Sequence, residues 1–171
     1  GKRSGPLNAD VEQYDPATDT WTEKAKVPTP RSGFDAAVVN GRIYIMGGCE
    51  LMGPFLGVVE EYDPAADTWN TKRTRMPTPR FFFTCGVVDG EIHAIGGANE
   101  SGTSLAVEAY DPAADTWTKK ADLPNPRAGS LCSTVDGVAY VMGGTSAQGA
   151  SALSSVLAYN PATDTWITKA S

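Results

Sequence analysis

Histidine is almost missing: the 171 residues contain one, His93. A multi-histidine metal centre is thereby excluded, and a Ser/His/Asp triad would have to use that one residue. Cysteine is scarce and odd in number. Cys49, Cys85 and Cys132 show no Cys-x-x-Cys spacing, so neither a disulfide framework nor a zinc ribbon is expected. Unpaired thiols read toward a reducing, cytoplasmic compartment. No stretch reaches the roughly 18 apolar residues of a membrane helix. The basic opening Gly1-Lys2-Arg3-Ser4-Gly5 is followed by no apolar segment, so no signal peptide is read there. Phosphate loops of the Gly-x-x-x-x-Gly-Lys and Gly-x-Gly-x-x-Gly types are lacking, as is helical periodicity. Basic residues do not predominate: the net charge of −6 argues against non-specific nucleic-acid binding.

What is abundant is glycine, with 18 residues, and proline, with 12, beside 41% hydrophobic residues. That is enough apolar surface to fold and too many breakers for a helical protein. The chain also repeats itself. Tyr14, Tyr62, Tyr110 and Tyr159 are spaced 48, 48 and 49 residues apart, and Trp21, Trp69, Trp117 and Trp166 keep the same spacing. The text between each pair is nearly constant, as in Tyr14-Asp15-Pro16-Ala17-Thr18-Asp19-Thr20-Trp21. Three Gly-Gly pairs (Gly47-Gly48, Gly96-Gly97, Gly143-Gly144) each follow the arginine of a Pro-Arg pair, Arg31, Arg80 or Arg127, by 16 residues.

Each period reads as four strands, here a to d. Strands a and b flank Asn40-Gly41, Asp89-Gly90 or Asp136-Gly137, the strongest short signal for a type I′ hairpin. Strand c ends on the Tyr. The Asp-Pro-Ala-x-Asp turn, in which Pro sets φ and Asp bonds nearby N–H groups, leads into strand d at the Trp. A four-stranded antiparallel unit repeated at this period predicts radial stacking into a β-propeller.

The Gly-Gly pair, the Tyr and the Trp, in that order in every period, resemble kelch repeats. The resemblance implies an all-β, partial kelch-type propeller spanning residues 1–171 as a single domain. Its parts are a c–d half-blade at 9–24 and full blades at 31–72, 80–120 and 127–169, fourteen strands or about three and a half blades. Such a chain is either a piece of a larger propeller or one that completes itself by pairing, so a homo-oligomer or the remainder of a larger propeller is expected. Most kelch domains recognise proteins and a minority are enzymes; the copper oxidases among them need several His and Tyr ligands that this segment lacks.

In kelch-family adaptors the arginine that opens strand a often points into the central mouth and grips carboxylates of a bound peptide. Arg31, Arg80 and Arg127 match that position, and a guanidinium fork pairs with a carboxylate through two hydrogen bonds. Alternatively, these arginines bond loop carbonyls and hold the blades. Antiparallel order places the acidic a–b and c–d turns on one side and the more basic b–c and d–a loops on the other. Two departures from the repeat fall on that second side. Arg80-Phe81-Phe82-Phe83 replaces small residues with aromatics, and the first b–c loop carries Leu51, Met52, Phe55 and Leu56 where its counterparts are small and polar.

The function expected is a protein- or peptide-recognition module for an acidic or mixed acidic-apolar ligand, using Arg31, Arg80, Arg127, Phe81, Phe82, Met52 and Phe55. The alternatives are a fragment of a kelch-type enzyme, a sugar epimerase or copper oxidase with its catalytic residues elsewhere, and a self-assembling structural half-propeller. No catalytic residue, metal or cofactor is assigned, and no nucleic acid or membrane is expected as partner. Paired aspartates such as Asp15/Asp19 read as turn chemistry rather than a calcium loop. His93 stands where Tyr44 and Tyr140 stand and reads as packing. Cys85 and Cys132 share one strand-a position and read likewise, leaving Cys49 as the more reactive thiol.

Overall fold

The computed structural model describes residues 7–51, 53–147 and 149–169. A leading hairpin joins β1 (Val11–Asp15) to β2 (Thr20–Lys24). Sheet 1 follows with β3 (Asp35–Val39), β4 (Arg42–Met46), β5 (Val59–Asp63) and β6 (Thr68–Asn70). Sheet 2 holds β7 (Thr84–Val88) and β8 (Glu91–Ile95). A small hairpin of β9 (Ala98–Asn99) and β10 (Gly102–Thr103) comes next, then β11 (Val107–Asp111) and β12 (Thr116–Lys119) complete the sheet. Sheet 3 holds β13 (Leu131–Val135), β14 (Val138–Met142), β15 (Val156–Asn160) and β16 (Thr165–Lys169). Within each sheet the strands lie antiparallel in chain order. The a–b turns have positive φ at both central residues, 50° and 74° at Asn40-Gly41, as a type I′ turn requires.

First strands contact first strands: β7 lies between β3 and β13. The core lies between neighbouring sheets. Ala37, Val39, Tyr44 and Met46 of sheet 1 pack against Phe83, Ile92 and Tyr110 of sheet 2, while Ile95 and Val88 of sheet 2 meet Val141, Leu157, Ala139 and Tyr159 of sheet 3. Each sheet thus has a leading face toward its predecessor and a trailing face toward its successor. The approach is close at the Gly-Gly pairs. A Cβ on Gly47 would lie 2.4 Å from the Phe83 ring and 2.8 Å from the Arg80 carbonyl, so only glycine fits.

The outer rim is held by a repeated clasp. The N–H of Ala25, just past β2, donates to Asp67 Oδ1 at 2.8 Å, and its carbonyl accepts from Trp69 Nε1 at 2.8 Å. Thr74 is held in the same way by Asp115 (2.9 Å) and Trp117 (3.0 Å), and Ala121 by Asp164 (2.8 Å) and Trp166 (2.9 Å). In each case the Tyr hydroxyl of the same sheet donates to the Asp, at 2.7 Å for Tyr62, 2.6 Å for Tyr110 and 2.7 Å for Tyr159. Both backbone groups of one linker residue are therefore satisfied by the next sheet. The hydrogen bond from the Ala25 N–H is the main reason the Asp67 carboxyl sits below its ordinary value.

In a urea titration Trp117→Ala should cost about 3 kcal/mol, the low end for an aromatic truncation because the ring is half-buried. Trp117→Phe, which keeps the ring and loses the hydrogen bond, should cost about 1 kcal/mol. Trp21→Ala, at the exposed copy, should stay within about 0.5 kcal/mol. Equal losses at positions 21 and 117 would contradict the clasp.

Between sheets 2 and 3, His93 is buried with its ring 5.2 Å from that of Tyr159, and Nδ1 has no hydrogen-bond partner among the described residues. Burial, aided by Lys120 and opposed by Glu91, Asp164 and Asp89, lowers its pKa to about 4. The neutral form is the native one. Stability is therefore intact above the unfolded-state value of about 6.5 and is lost as pH falls from there toward 4, by on the order of 3 kcal/mol in full. His93→Tyr, the residue of the other two sheets, should flatten the unfolding free energy across that interval. An unchanged slope would show that other groups carry it.

Candidate functional site

The three arginines expected to grip a ligand are buried and used internally. Arg31 donates to the carbonyls of Thr29 (3.0 Å), Gly47 (3.3 Å) and Val58 (3.0 Å) and pairs with Glu60. Arg80 donates to the carbonyls of Gly96 (3.0 Å), Ala106 (2.6 Å) and Ala94 (3.2 Å), pairs with Glu108 at 2.9 Å, and lies over the Phe83 ring. Arg127 donates to the carbonyls of Gly143 (3.1 Å) and Ser155 (3.4 Å) and to Ser155 Oγ (3.1 Å). Each side chain ties strand b to strand c of its own sheet where the Gly-Gly pair leaves carbonyls turned inward. This corrects the reading of Arg31, Arg80 and Arg127 as ligand contacts: the guanidiniums are buried and bond chiefly to backbone carbonyls that would otherwise be unpaired, while Nε of Arg80 and of Arg127 has no partner among the described residues.

The aromatic departures do converge. Phe55 of the first b–c loop stacks on Phe81, with ring centroids 4.9 Å apart and 15° between planes, and Phe81 meets Phe82 at 4.6 Å. Met52 lies outside the described residues. Backbone ladders fix this platform: Phe81 pairs with Ala98, and Cys49 bridges Ser32 to Phe55. At the inner edge Phe82 N–H donates to the Gly33 carbonyl and Gly129 N–H to the Phe82 carbonyl, both at 2.8 Å. Gly33, Phe82 and Gly129 are thus equivalent positions on three consecutive sheets, with φ of 63°, 51° and 65°. Two are glycine, as this left-handed backbone favours. The third is a phenylalanine that is 55% exposed.

Beside the platform lies a groove of about 700 Å³. Phe55, Phe81 and Phe82 line one part of it, and Ala128, Thr145 and Ala147 line another. Asn99 and Thr103 add polar groups, and among the described residues no charged side chain lines it. A smaller recess continues past Phe55 and Asn99 to Pro54, Pro79 and Glu100, and another past Phe82 and Thr145 to Ala152. The groove wall formed by β9, β10 and residues Thr145, Ser146, Ala147 and Gly149 carries only small and polar residues. Nothing in their sequence distinguishes a groove wall from an ordinary turn.

The basic mouth expected from the loop composition is largely neutralised. Lys26 pairs with Asp10, Arg73 with Glu61, Lys119 with Asp122 and Lys120 with Glu91; on the other side Arg42 pairs with Asp63. Burial raises the Cys85 thiol well above its ordinary value and Cys132 to about 12, so neither is poised as a nucleophile. Cys49 is half-buried with its sulfur 3.6 Å from Ser32 Oγ. Among the described residues no three His, Cys, Asp or Glu side chains are grouped to hold a metal ion.

Comparison with known proteins places these features in a family. Residues 1–170 match the family described as the KLHDC2/KLHL20/DRC7 Kelch-repeats domain. Among curated relatives, the influenza virus NS1A-binding protein homolog B of Danio rerio is 53% identical over 38 residues, 22% of this chain and 6% of that protein. Beta-scruin of Limulus polyphemus is 42% identical over 45 residues, covering 26% and 5%. The kelch-like protein terF of Aspergillus terreus is 42% identical over 50 residues, covering 29% and 11%. The matched stretches thus span only a small fraction of these relatives' lengths. Among solved structures, that of YjhT superposes with a TM-score of 0.80 at 17% identity, covering 99% of this chain and 67% of that one. Stacked four-stranded sheets, glycine pairs at the close approach and the Tyr–Asp–Trp rim have one common source: the chain belongs to the kelch-repeat family and is all-β, part of a kelch-type propeller.

Proposed function

We propose that this domain is a protein-recognition module that binds an extended peptide along the Phe55–Phe81–Phe82 groove, with apolar side chains as anchors. Kelch-repeat domains generally mediate protein–protein interaction, which supports the class. The observation that carries the site is Phe82. A non-glycine residue in the left-handed region costs roughly 1–2 kcal/mol, and the equivalent positions avoid that cost with Gly33 and Gly129. Here the strained position instead holds a large apolar ring out to solvent. Strain retained at one of three equivalent sites is a pointer to function.

The apolar part of the ligand expected from sequence is kept. The acidic part is given up, because the arginines are occupied and the groove lining offers no cation. An uncharged cleft with an aromatic floor and a few amide and hydroxyl groups suits a peptide carrying aromatic or branched aliphatic residues. Open sheet faces at both ends of the stack also favour self-association or abutment on the rest of a larger propeller.

The experiment is a displayed-peptide selection against the domain, followed by affinity measurement on Phe82→Gly and Phe55→Ala. The selected peptides should be rich in apolar residues and bind with little dependence on salt. Phe82→Gly should lose at least about tenfold in affinity, roughly 1.4 kcal/mol, while stability holds or rises because glycine suits that backbone. Undiminished binding by Phe82→Gly would place the ligand elsewhere, and a selection that yields no binder would count against the recognition role.

A further inference from the structure

Each repeat carries a short ladder at its inner loops. Ser32 pairs with Cys49 and Cys49 with Phe55; Phe81 pairs with Ala98 and Ala98 with Thr103; Ala128 pairs with Thr145 and Thr145 with Ala152. In the second ladder the hydrogen bonds fix which way each backbone points. Phe81 N–H donates to the Ala98 carbonyl at 3.0 Å, and Ala98 N–H to the Phe81 carbonyl at 2.8 Å. Ala98 therefore has no N–H left for Thr103, and Ser104 N–H bonds the Gly97 carbonyl at 2.8 Å instead. Backbone bonds alternate along an antiparallel pair, so the N–H and carbonyl of Thr103 point away from β9. Among the described residues no other segment takes them up.

Residues opposite one another on a ladder put their side chains on one face. Phe81, Ala98 and Thr103 form such a row, and all three line the groove. The other rows face it only in part: Phe55 alone from the first, and Ala128 and Thr145 without Ala152 from the third. The second row is also the one drawn out into the strands β9 and β10, where the others are single bridges. Open edges are commonly blunted by proline or charge. Pro54 stands beside Phe55, whereas Gly102-Thr103-Ser104-Leu105-Ala106 contains neither. The groove thus combines an aromatic platform with a backbone donor and acceptor at Thr103.

We propose that the ligand binds by strand addition, pairing its main chain with Thr103 as the next antiparallel strand of the Phe81–Ala98–Thr103 ladder. This rests on the groove reading above and specifies the ligand it takes. Thr103 N–H donates to the carbonyl of one ligand residue, and the Thr103 carbonyl accepts the N–H of that same residue. The side chain of the paired residue then joins the row of Phe81, Ala98 and Thr103 in the groove. Its two neighbours point to the opposite face, and the residues two places away return to the groove. The ligand class is an extended segment with β-branched or aromatic residues at alternate positions and a residue with a free N–H opposite Thr103. A polyproline segment, which lacks that N–H, does not fit.

The probes are selected peptides whose affinity falls on Phe82→Gly, each remade with one backbone N-methyl group at a time. Methylation at one position should weaken binding at least about tenfold, because it removes the N–H that the Thr103 carbonyl accepts. Methylation at the two adjacent positions should be tolerated, since their N–H groups point away from the edge. Hydrogen exchange at the Thr103 amide should slow by a similar factor in the complex. A peptide that depends on Phe82 yet tolerates methylation throughout, or that leaves Thr103 exchange unchanged, would overturn strand addition while the groove reading stands. Peptides indifferent to Phe82→Gly, or a selection without binders, would overturn both.

Discussion

The structure depends on one constraint: a flat four-stranded sheet has two faces to bury and must meet its neighbours at both the inner and the outer radius. The Tyr–Asp–Trp clasp supplies the outer contact. It acts on the backbone of the preceding linker, so linker side chains are free to vary: Ala25, Thr74 and Ala121 are held alike. The Asp that receives the N–H sits at positive φ in the c–d turn, with φ of 54° at Asp67 and 56° at Asp115. The same residue closes the turn and fixes the next linker. A nearest-neighbour rule of this kind lets the stack be built one unit at a time.

Inside the rim, the buried arginines perform the corresponding task within each sheet. A Gly-Gly pair lets consecutive sheets approach closely, but it turns carbonyls away from the ladder. Arg31, Arg80 and Arg127 collect these, and Glu60 and Glu108 neutralise the first two. The charge then has to be satisfied where it is buried, since removing one partner of a buried pair leaves the other uncompensated. An arginine so committed cannot also offer its fork to a ligand, and that decides between the two roles open to the Pro-Arg positions.

Period, strand order and turns were legible because each rests on local chemistry. Asn40-Gly41 needs positive φ at both positions, and no other simple reading of Asp-Pro-Ala-x-Asp before a Trp competes with a turn. The fate of the arginines was not legible. A guanidinium at the head of strand a serves a mouth or a carbonyl cage equally well on paper, and the choice depends on where the carbonyls of residues 47, 58 and 96 turn in space. The charged rim failed for a similar reason. Lys120 and Glu91 belong to opposite loop faces in a schematic antiparallel sheet, yet they pair at 2.9 Å. Phe81 and Phe82 were visible as departures from the repeat; Asn99 and Thr103 were not, being ordinary loop residues until a groove forms beside them.

The third sheet departs from the first two in a correlated way. Leu157 occupies the position of Glu60 and Glu108, so Arg127 has no carboxylate, and burial alone lowers its pKa. Ser130 replaces the phenylalanine of Phe34 and Phe83, and its buried hydroxyl has no partner in the described structure. With the Glu gone, Arg127 turns to Ser155, a residue at the edge of strand c rather than within it. Leu131 and Ile167 change the same sheet on its trailing face. Leu131 and Ile167 add apolar volume on the open side of sheet 3, Leu157 adds it on the side buried against sheet 2, and the arginine is left held by carbonyls and a hydroxyl alone. The repeat is most regular where two sheets of this chain bury each other, and it loosens at the unit whose trailing face has no neighbour among the described residues.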